Sequence, residues 1–570
     1  MTLPVLPEVG EKPWFGKRDA FDQAVRGRLN GTITPEDFGA VGDGVTDDTA
    51  AIQAAIDELQ DGQTVLFGMG KTYLHEGTFV IPSTLSGITL DFNGATLQHA
   101  GLGPTLTSHT VDDAPGYGSG GNNWTFRNGT IRGDYAGGYS CIFNLHHVTG
   151  VTFEDCHFEE GMHSGGHYID LLGCLDVYVG NCSFSGMNPS SNSEHIEAIQ
   201  LDHSTYAGSS SKPTDASATY DGLPTRRVRV EKCAFLPIEV GGTWYPTPNP
   251  IGNHRSALTT DDGFVQEVWF EDNYVYGWHP SPTSSTAMRG WLHFLGARNI
   301  HVRRNTFQFW APGETATGTI EHEAILYFQA TTTVVTAATA GEVSPTSTAY
   351  VRDCRDIHFT HNTLVDFANH PAPATGYMVQ GSGAASGVRV TDNTADSLPL
   401  HGLHGSSLSR SFFERNKLTI TGNKRGVSWS AGDSNSVVDN DLMFDASSDG
   451  IGVQSRSGTG HIISGNRIWQ GTIAIDIWGP TSYSQITNNR AEDYMTCGIK
   501  IANSVTEDPQ VGDVLVAMNV LKTDLGSSHN SILIGSRGNR IRRFGNQCRN
   551  GGTLTDNGSG SITAATDQTS

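Results

Sequence analysis

Several features that would place this chain of 570 residues in a familiar class are missing from it. Its eight cysteines include no Cys-x-x-Cys pair, which argues against a zinc site and against a disulfide framework. No apolar run approaches the roughly 18 residues of a membrane span. Residues 1–8 show no basic start before a long apolar stretch, so we expect no secretory signal in this sequence.

Positive charge is also scarce. Lys and Arg number 36 against 59 Asp and Glu, which gives a formal net charge of −23. This balance excludes nucleic acid as an expected partner, because phosphate binding needs clustered cations. Charged residues make up 17% of the chain and apolar residues 37%, and Gly is abundant at 68. The composition indicates a protein rich in turns and strands, with enough apolar residues for a long, narrow core.

What the chain does have is a short recurring motif. In copies such as Phe-Glu-Asp-Asn273-Tyr-Val and Val-Arg-Arg-Asn305-Thr-Phe, two short alternating strands flank a corner that carries Asn or Cys. Asn suits such a corner because it tolerates a left-handed backbone and its side chain bonds neighbouring peptide groups. Clear copies centre on Cys156, Cys182, Cys233, Asn273, Asn305, Asn362, Asn393, Asn440, Asn466 and Asn489, and weaker ones on Asn93, Asn128, Asn416, Asn519 and Asn546.

Strands that recur once per turn of a coil pair in parallel with the turns above and below, and their side chains alternate between the core and the outside. The repeat therefore predicts an all-β solenoid, a parallel β-helix, in which the corner residues stack as an asparagine ladder. The three cysteines at this position are expected to be small buried fillers.

An open coil exposes its apolar stack at the end and needs a cap. Residues 50–59 carry an apolar stripe at helical spacing, directly after an acidic, glycine-rich segment. The phrase DFGAVGDGVTDDTAAIQAAI closely resembles the opening motif of the pectate-lyase-like superfamily, which includes many phage tail spikes and polysaccharide depolymerases. The resemblance implies a right-handed parallel β-helix with an N-terminal capping α-helix, and structural roles for Asp43, Asp47 and Asp48.

This resemblance also implies an organisation and an assembly. Residues 1–34 are expected to be a connector that attaches to the particle, residues 35–62 the cap, and residues 63–550 the β-helix, with glycan-binding loops mainly in 183–361. Residues 551–570 are rich in Gly, Ser and Thr, and we expect a flexible tail. Tail spikes of this fold are commonly homotrimers, so we expect a trimer on the virion, extracellular and joined to a tail or baseplate protein through its N-terminus.

A second resemblance covers roughly residues 165–275. The segments GGHYIDL, SEHIEAIQLD, DGLP and PIGNHRSA are similar to a subgroup of β-helix proteins of phages and bacteria. That subgroup often has Glu near the position of Asp170 in this chain, so the resemblance assigns no firm role there.

Corner spacing locates the predicted binding region. From Asn393 to Asn489 successive corners are 23, 24, 26 and 23 residues apart, but from Cys182 to Asn362 the steps are 51, 40, 32 and 57. The extra residues must form loops, and insertions in repeat proteins often build the binding face. Aromatic and imidazole side chains in and beside these loops are candidates to contact sugar rings, namely Trp244, Tyr245, His254, Trp278, His279, Trp291 and His293.

The strands of this region also predict a cluster of acids. Five segments appear equivalent, namely Ile169-Asp170-Leu171, Ile199-Gln200-Leu201, Leu258-Thr259-Thr260, Leu292-His293-Phe294 and Ile325-Leu326-Tyr327. With Ile199 and Leu201 inward, Gln200 and Asp202 point outward. In this register Asp202 and Asp261 become neighbours on adjacent turns, one strand spacing of about 4.8 Å apart.

Glu197 joins this predicted patch near His167, with His254 at the adjoining corner, and Asp170 and Asp262 lie beside it. A glycosidase needs one protonated carboxylic acid and one ionised carboxylate, and close like charges raise the pKa of one member. Asp202, Asp261 and Glu197 are therefore the candidate catalytic residues. His167, Asp170, Gln200, His254, Asp262 and His293 are candidate substrate contacts. No cofactor is expected, and no set of residues has metal-ligand spacing.

The leading interpretation is an endo-acting glycoside hydrolase on a virion that depolymerises a capsule or cell-wall polysaccharide. A polysaccharide lyase, a non-catalytic glycan-binding adhesin and a secreted pectinase-like glycosidase remain alternatives. Asp261-Asp262 one turn after Asp202 resembles the carboxylates of the last class, but no convincing Gly-His-Gly or Arg-Ile-Lys motif accompanies them. The sequence leaves open whether the site is retaining or inverting, and whether it lies within one chain or between chains.

Overall fold

The structure is a computed structural model of the chain. It describes residues 31–108, 115–138, 141–162, 167–188, 197–204, 221–253, 264–277, 290–308, 324–333, 350–365, 376–445, 449–501, 511–524, 529–550, 552–559, 561–563 and 567–569. The described residues fall into two compact units, a first within Met1–Pro248 and a second within Asn249–Val335 and Ser347–Ser570. Among them, no helix combines the length and the apolar character needed to cross a lipid bilayer.

The first unit begins with the predicted cap. A short 3-10 helix, Pro35–Phe38, precedes an α-helix, Thr49–Asp57. The α-helix buries Ile52, Ala55 and Ile56 on one face, as the apolar spacing predicts. The cap helix of the sequence prediction is therefore confirmed, two residues shorter at its C-terminal end than the apolar stripe.

The acidic residues of the cap motif hold the backbone together. The Asp48 carboxylate accepts hydrogen bonds from the backbone N–H groups of Val41 (2.6 Å) and Gly42 (3.0 Å). Asp43 accepts from the two backbone N–H groups two and three residues further on, and Asp47 accepts from the first N–H of the helix. These contacts confirm a structural role for the three acids.

The strands of the first unit stack in three rows whose strands pair in parallel. Row A consists of Thr32–Ile33, Thr64–Leu66, Thr89–Asp91, the long strands Asn122–Arg132 and Thr149–Met162, Leu175–Gly180 and Arg226–Glu231. Row B consists of Asp43–Asp47, Thr72–His75, Thr96–His99, the second halves of the two long strands, Ser183–Asn188 and Ala234–Leu236. Row C consists of Phe79–Val80, Leu106–Thr107, Phe143–His146, Ile169–Leu172 and Glu197–Asp202. An antiparallel hairpin, Ile238–Val240 with Thr243–Tyr245, follows row B.

The second unit repeats the three-row plan. Row A consists of Val265–Glu271, Ala297–Arg303, Cys354–Thr360, Arg389–Thr391, Phe412–Glu414, Ser436–Val438, Ile462–Ser464, Gln485–Thr487, Leu515–Ala517, Arg542–Phe544 and Ile562–Thr563. Row B consists of Tyr274–Tyr276, Thr306–Gln308, Thr363–Val365, Thr394–Leu398, Lys417–Ile420, Asp441–Phe444, Arg467–Trp469, Arg490–Glu492, Val520–Lys522, Gln547–Arg549 and Gln568–Thr569. Row C consists of Asn249–Gly252, Gly290–Leu295, Ala324–Gln329, Tyr377–Ser386, His401–Ser409, Arg425–Trp429, Ile451–Ser455, Ile473–Ile477, Cys497–Ile501, Asn530–Ile534 and Thr553–Asp556.

Two smaller elements complete the second unit. One is an antiparallel pair, Thr331–Thr333 with Tyr350–Arg352, and the other is a four-stranded parallel row of two-residue strands, Gly458–Thr459, Thr481–Ser482, Val511–Gly512 and Gly538–Asn539. Parallel pairing from turn to turn around an apolar interior makes the fold a right-handed parallel β-helix, as predicted.

An asparagine ladder runs along the second unit. Asn440 is representative: its Nδ2 donates to Asn466 Oδ1 (2.8 Å) and to the carbonyl oxygen of Phe413 (2.8 Å), and Asn466 Oδ1 also accepts the Asn440 backbone N–H (3.1 Å). The ladder passes through Asn273, Asn305, Asn362, Asn393, Asn416, Asn440, Asn466, Asn489, Asn519 and Asn546 and ends on Asp567. The predicted stack is confirmed, and it includes three of the copies that looked weak in sequence.

The structure corrects the reason for asparagine at these corners. The left-handed residue of each corner is the one before the ladder position, for example Arg415 with φ 52° and Asp439 with φ 55°. The ladder asparagines are there for their buried hydrogen bonds, because a polar corner inside the coil must satisfy neighbouring backbone groups. Asn93 and Asn128, with φ 52° and 62°, occupy the left-handed position and are not ladder members, contrary to the prediction.

In the first unit cysteines take the ladder position. Cys156, Cys182 and Cys233 are buried and unbridged, and their Sγ atoms lie 3.3–3.6 Å from backbone carbonyl oxygens. Two residues after each of these cysteines is a phenylalanine, and these rings stack from turn to turn with centroids 5.0 Å apart in the pairs Phe158–Phe184 and Phe184–Phe235. Burial raises the pKa of Cys156 and Cys233 well above the usual range of a thiol. These cysteines are core residues, as predicted.

Two predicted alignments are wrong within the second unit. The strand that pairs with Leu292 and His293 is Asn249–Gly252, not residues 258–260, because Ile251 faces Leu292 in the register. On the next turn Leu292 faces Leu326, one residue later than predicted. The first error selects the wrong segment, since Ile251 rather than Leu258 faces Leu292. The second is a one-residue shift, which the adjacent apolar residues Ile325 and Leu326 allow and which exchanges the two faces of a strand.

The C-terminal boundary of the coil was also predicted too early. Thr553–Asp556, Ile562–Thr563 and Gln568–Thr569 pair in parallel with strands of the preceding turn. The segment predicted as a tail from residue 551 therefore contributes strands to the β-helix.

Candidate functional site

Row C of the first unit carries the acids singled out in the sequence. Its strands Phe143–His146, Ile169–Leu172 and Glu197–Asp202 lie side by side in parallel. The register places Asp170 beside Gln200, with Ile169 facing Ile199 and Leu171 facing Leu201, as the strand alignment predicted for this pair of turns. Polar side chains of neighbouring turns thus lie on one face, opposite the apolar core.

Each aspartate of this face holds an amide donor. Asn144 Nδ2 donates to Asp170 Oδ2 at 2.7 Å, and Gln200 Nε2 donates to Asp202 Oδ2 at 2.8 Å. The second Asp202 oxygen lies 3.9 Å from His203 Nδ1. Strand spacing and rise put Asp170 and Asp202, diagonal neighbours on adjacent strands, about 8 Å apart at their Cα atoms. The amides fix the orientation of both carboxylates.

Glu197 differs from the two aspartates in its surroundings. It is fully buried, its carbonyl oxygen lies 3.0 Å from His167 Nδ1, and its Oε2 lies 3.6 Å from the same nitrogen. Burial raises the pKa of Glu197 to about 8, and the negative charges of Asp202 and Asp170 add to the effect. At neutral pH this carboxyl group therefore holds a proton. The predicted position of Glu197 beside His167 is confirmed.

The exposure of these side chains differs from the prediction. Alternation places Gln200 and Asp202 on the face away from Ile199 and Leu201, but every residue of Glu197–Asp202 is buried. Facing away from the core is not the same as facing water when side chains of adjoining turns cover the strand and hydrogen-bond to it. The site is a buried polar cluster rather than an open acidic surface.

Two adjacent histidines belong to the cluster and were missed in sequence. His146 Nε2 lies 2.6 Å from Ser204 Oγ, and His147 Nε2 lies 2.8 Å from Asp221 Oδ1. Burial alone would raise the pKa of Asp221, but the hydrogen bond and charge of His147 and nearby backbone N–H groups outweigh it and lower this pKa to about 2. The sequence signal that could have revealed them is the pair of adjacent histidines at the end of the strand Phe143–His146, just before a corner.

The aromatic candidates separate into two groups. Trp244 lies on the hairpin of the first unit and is 48% exposed, and Tyr245 beside it stacks on Tyr135 with ring centroids 3.8 Å apart. In the second unit Trp291 is 1% exposed and packs 6.2 Å from Phe307, centroid to centroid. Trp291 is therefore a core residue, a correction to its predicted contact with substrate.

His293, also in the second unit, is buried with its ring centroid 5.1 Å from that of Tyr327. Asp261, Asp262 and His254 lie outside the described residues, as do Trp278 and His279. A role for Asp261 therefore stays a prediction, but the alignment that made it a neighbour of Asp202 does not hold, because Asn249–Gly252 rather than residues 258–260 faces the strand of His293. Within the part of the chain that the structure describes, no three His, Cys, Asp or Glu side chains are arranged to hold a metal ion.

Comparison with family models matches two segments. Residues 35–132 match the model described as rhamnogalacturonase A/epimerase, pectate lyase-like. Residues 299–508 match the model described as periplasmic copper-binding protein (NosD). The first match covers the cap and the first turns, in agreement with the resemblance of the opening motif to the pectate-lyase-like superfamily.

Curated relatives match parts of the chain. A capsule K30/K69-specific depolymerase of Klebsiella phage K64-1 is 40% identical over 78 residues, 14% of this chain and 10% of that protein. Depolymerase 1, capsule K30/K69-specific, of Klebsiella phage K5-2 is 45% identical over 64 residues, 11% of this chain and 8% of that protein. Plasmin and fibronectin-binding protein A of Streptococcus pneumoniae is 25% identical over 325 residues, 50% of this chain and 40% of that protein. The chain thus spans less than half the length of each of these relatives.

Solved structures with a similar course of the chain include the surface adhesin PfbA of Streptococcus pneumoniae, at 17% identity and a TM-score of 0.49, covering 82% of this chain and 93% of that one. The tailspike protein of Escherichia coli bacteriophage HK620 in complex with a pentasaccharide is 12% identical with a TM-score of 0.49, covering 91% of this chain and 81% of that one.

Proposed function

We propose that this protein binds a bacterial surface polysaccharide and cleaves it by endo-acting glycosidic hydrolysis on row C of the first unit. The observation that carries the proposal is Glu197, a buried carboxyl group whose pKa is raised to about 8 beside two further carboxylates. A protonated acid next to an ionised one is the division of labour that glycoside hydrolysis requires.

In the proposed mechanism Glu197 donates its proton to the glycosidic oxygen that leaves. Asp202, which accepts a hydrogen bond from the Gln200 amide, either takes a proton from the water that attacks the anomeric carbon as the glycosidic bond breaks, or attacks that carbon itself to form a glycosyl ester that water then hydrolyses. Asp261 remains the predicted third acid. The exposed Trp244, on its hairpin, supplies an aromatic face for a sugar ring.

The relatives favour a capsule as the substrate, because two of them are named as capsule-specific depolymerases of Klebsiella phages. By the same likeness we propose that the protein is part of a phage tail, a homotrimer outside the cell attached through residues 1–34. The capsule substrate, the homotrimer and the tail attachment could each be disproved without disproving glycosidic hydrolysis.

The test is incubation of the purified protein with a panel of capsular polysaccharides that includes the K30 and K69 types. We expect shorter chains by size-exclusion chromatography and new reducing ends without ultraviolet absorbance. Chains that shorten with a rise in ultraviolet absorbance would instead identify a lyase, since elimination leaves an unsaturated sugar. Polymers that stay intact throughout the panel overturn the hydrolase.

A second candidate function is a non-catalytic adhesin. The observation that favours it is the match over half of this chain to a streptococcal protein named for binding plasmin and fibronectin. Immobilised plasmin and fibronectin, with the capsule panel beside them, distinguish the two. Binding to the proteins without cleavage of any polysaccharide would favour the adhesin.

A further inference from the structure

A second polar cluster lies on row C of the second unit, and the function proposed above gives it no role. The register aligns one residue from each of six successive strands on the face opposite the core, Gln380, His404, Ser428, Gln454, Asp476 and Lys500. Arg425 begins the third of these strands, and Arg456 and Trp478 directly follow the fourth and fifth. We call Arg425, Gln454, Arg456, Asp476, Trp478 and Lys500 the arginine–lysine cluster.

The floor of this cluster is buried and polar. Gln454 and Asp476 are 2% and 1% exposed, and Gln454 Nε2 donates to Asp476 Oδ2 at 3.1 Å. Gln454 Oε1 has no hydrogen-bond partner among the described residues. A buried amide oxygen without a partner is costly unless something else supplies a donor. Sugar hydroxyl groups are donors of the right kind.

The walls carry positive charge around an indole. The Arg456 guanidinium lies 5.3 Å and Lys500 Nζ 5.8 Å from the ring centroid of Trp478. Burial, and then the nearby charge of Arg456, lower the pKa of Arg425, so these two cations are close enough to repel each other. Arg456 is exposed, whereas Arg425, Trp478 and Lys500 are half-buried.

These cations differ from other arginines of the same unit. Arg415 and Arg304 each bind the carboxylate of an aspartate at 2.8 Å. Within the described ranges, Arg425, Arg456 and Lys500 form no salt bridge with any carboxylate. The charges of Lys500 and Arg425 act on the one carboxylate of the cluster, Asp476, which leaves three cations to one acid. In a chain of net charge −23, this local excess of positive charge attracts an external anion, most strongly at low ionic strength.

We propose that the arginine–lysine cluster is a binding subsite for an acidic sugar residue, one that carries a carboxylate. Arg456 and Lys500 bind the carboxylate, Gln454 and Asp476 bind ring hydroxyl groups, and Trp478 packs against the sugar ring. The inference deepens the proposed function, on which it rests for the kind of ligand, by making the polysaccharide an anionic one.

The test uses the full chain and uronic-acid-containing bacterial polysaccharides, each beside the same polymer after its carboxyl groups have been reduced to alcohols. We expect tighter binding to the acidic form by biolayer interferometry, and weaker binding as salt is added. Arg456→Ala and Lys500→Ala are each expected to weaken it about tenfold, the size of one hydrogen bond to a charged group.

The chain offers a matched control on row B. Arg467 lies over the ring of Trp469, with the guanidinium 4.5 Å from the centroid, a cation–aromatic pair outside the cluster. Arg467→Ala and Trp469→Ala should leave binding unchanged, whereas Trp478→Ala should weaken it. Equal binding of acidic and reduced polymers, or equal losses in the control variants, overturns the proposal. So does failure to bind any acidic polymer in the panel.

The hydrolase and the acidic-sugar subsite can be disproved separately. If Arg456→Ala weakens binding and no polymer is ever cleaved, the subsite stands and the hydrolase fails. If cleavage occurs and depends on Glu197, but binding is indifferent to Arg456 and Lys500, the hydrolase stands and the subsite fails.

Discussion

The two units build the same kind of coil corner from different side chains. The second unit runs an unbroken ladder of amides in which each asparagine receives two N–H groups from the turn before. The first unit uses Cys156, Cys182 and Cys233, which pack as small buried groups and lie at longer distance from backbone oxygens. In a ladder of amides, hydrogen bonds between side chains of successive turns fix the distance between the turns. Where cysteines stack instead, that distance is set by the packing of the aromatic core.

The polar faces of row C differ as well. In the first unit the face carries Asp170 and Asp202, and the nearby Glu197, of the opposite strand parity, is kept protonated by its burial, with the charges of the two aspartates adding to the effect. In the second unit the face is led by cations, with Asp476 as its acid. This difference fits the proposals of cleavage chemistry in the first unit and recognition of charge in the second. Each of the two proposed roles can be tested by substituting one side chain at a time.

The largest effect is expected from the acids of the first unit. Glu197→Gln and Asp202→Asn should each lower the rate of polysaccharide cleavage by about 100- to 10,000-fold, the range for loss of a general acid or base. Binding of the polymer should persist, because both substitutions keep the shape of the side chain. Reducing-end assays beside a binding assay measure the two separately.

The control for this prediction is Asp439→Asn, which changes an exposed acid at a left-handed corner of the second unit, where Asn is well tolerated. Unchanged cleavage in Glu197→Gln would remove Glu197 from the mechanism. Loss of binding and cleavage together in Asp202→Asn would mean that Asp202 holds the substrate rather than attacks it.

The sequence predicted the regular half of the molecule better than the irregular half. The ladder from Asn273 to Asn546 could be read because one residue type recurs at one position, and hydrogen bonding inside the coil requires it. Strand alignment selected the wrong segment at residues 258–260, because Ile251 rather than Leu258 faces Leu292. It was one residue off at Leu326, where adjacent apolar residues satisfy two registers equally. Strand register can be predicted reliably where a polar residue recurs at one position of the repeat, and it is ambiguous where only apolar residues recur.

The candidate site was predicted in part for the same reason. Strand alternation correctly brought Asp170 next to Gln200 and Glu197 near His167, since both follow from parallel pairing. It did not predict burial of the acids, nor the contact of His147 with Asp221, which are 74 residues apart in the chain. Contacts made by a loop that returns to an earlier strand leave no periodic signal.

A pH experiment sharpens the contrast through stability. The pKa of Glu197 is raised in the folded protein to about 8 from an ordinary value of 4.5. As pH rises between these values the unfolded chain releases this proton while the folded protein keeps it, so the free energy of unfolding falls. We expect Glu197 to cost a few kcal/mol by pH 8 and nothing below pH 4.

Urea denaturation at pH 5 and pH 8 measures this effect. Glu197→Gln should be more stable than the native protein at pH 8, and its stability should vary less between the two pH values. Glu76→Gln, which alters an exposed carboxylate of the same unit, is the control. The same pH dependence in native protein and Glu197→Gln would show that the carboxyl group is not protonated in the folded state.

The corner residues test the other half of the comparison. Asn440→Ala removes the hydrogen bonds that Nδ2 donates to Phe413, Val438 and Asn466, and it leaves the backbone N–H and the Nδ2 of Asn416 without their shared acceptor inside the coil. We expect a loss of about 3 kcal/mol, because each buried group left without a partner costs roughly 1–3 kcal/mol. Cys182→Ala removes only a packed sulfur and should cost about 1 kcal/mol. Equal losses, measured by urea denaturation, would contradict the distinction between a bonded and a packed corner.

The smallest effect should be the same in both units, because it depends on the backbone alone. Lys232 in the first unit and Met518 in the second are exposed residues with φ 54° and 59°, directly before a corner cysteine and a ladder asparagine. At the same position the chain has glycine at Gly465 and Gly545, with φ 70° and 65°. Lys232→Gly and Met518→Gly should each stabilise the protein by up to about 1 kcal/mol, since glycine relieves the strain of a left-handed backbone. The urea midpoint measures it, and Lys522→Gly, within a strand, should shift the midpoint the opposite way.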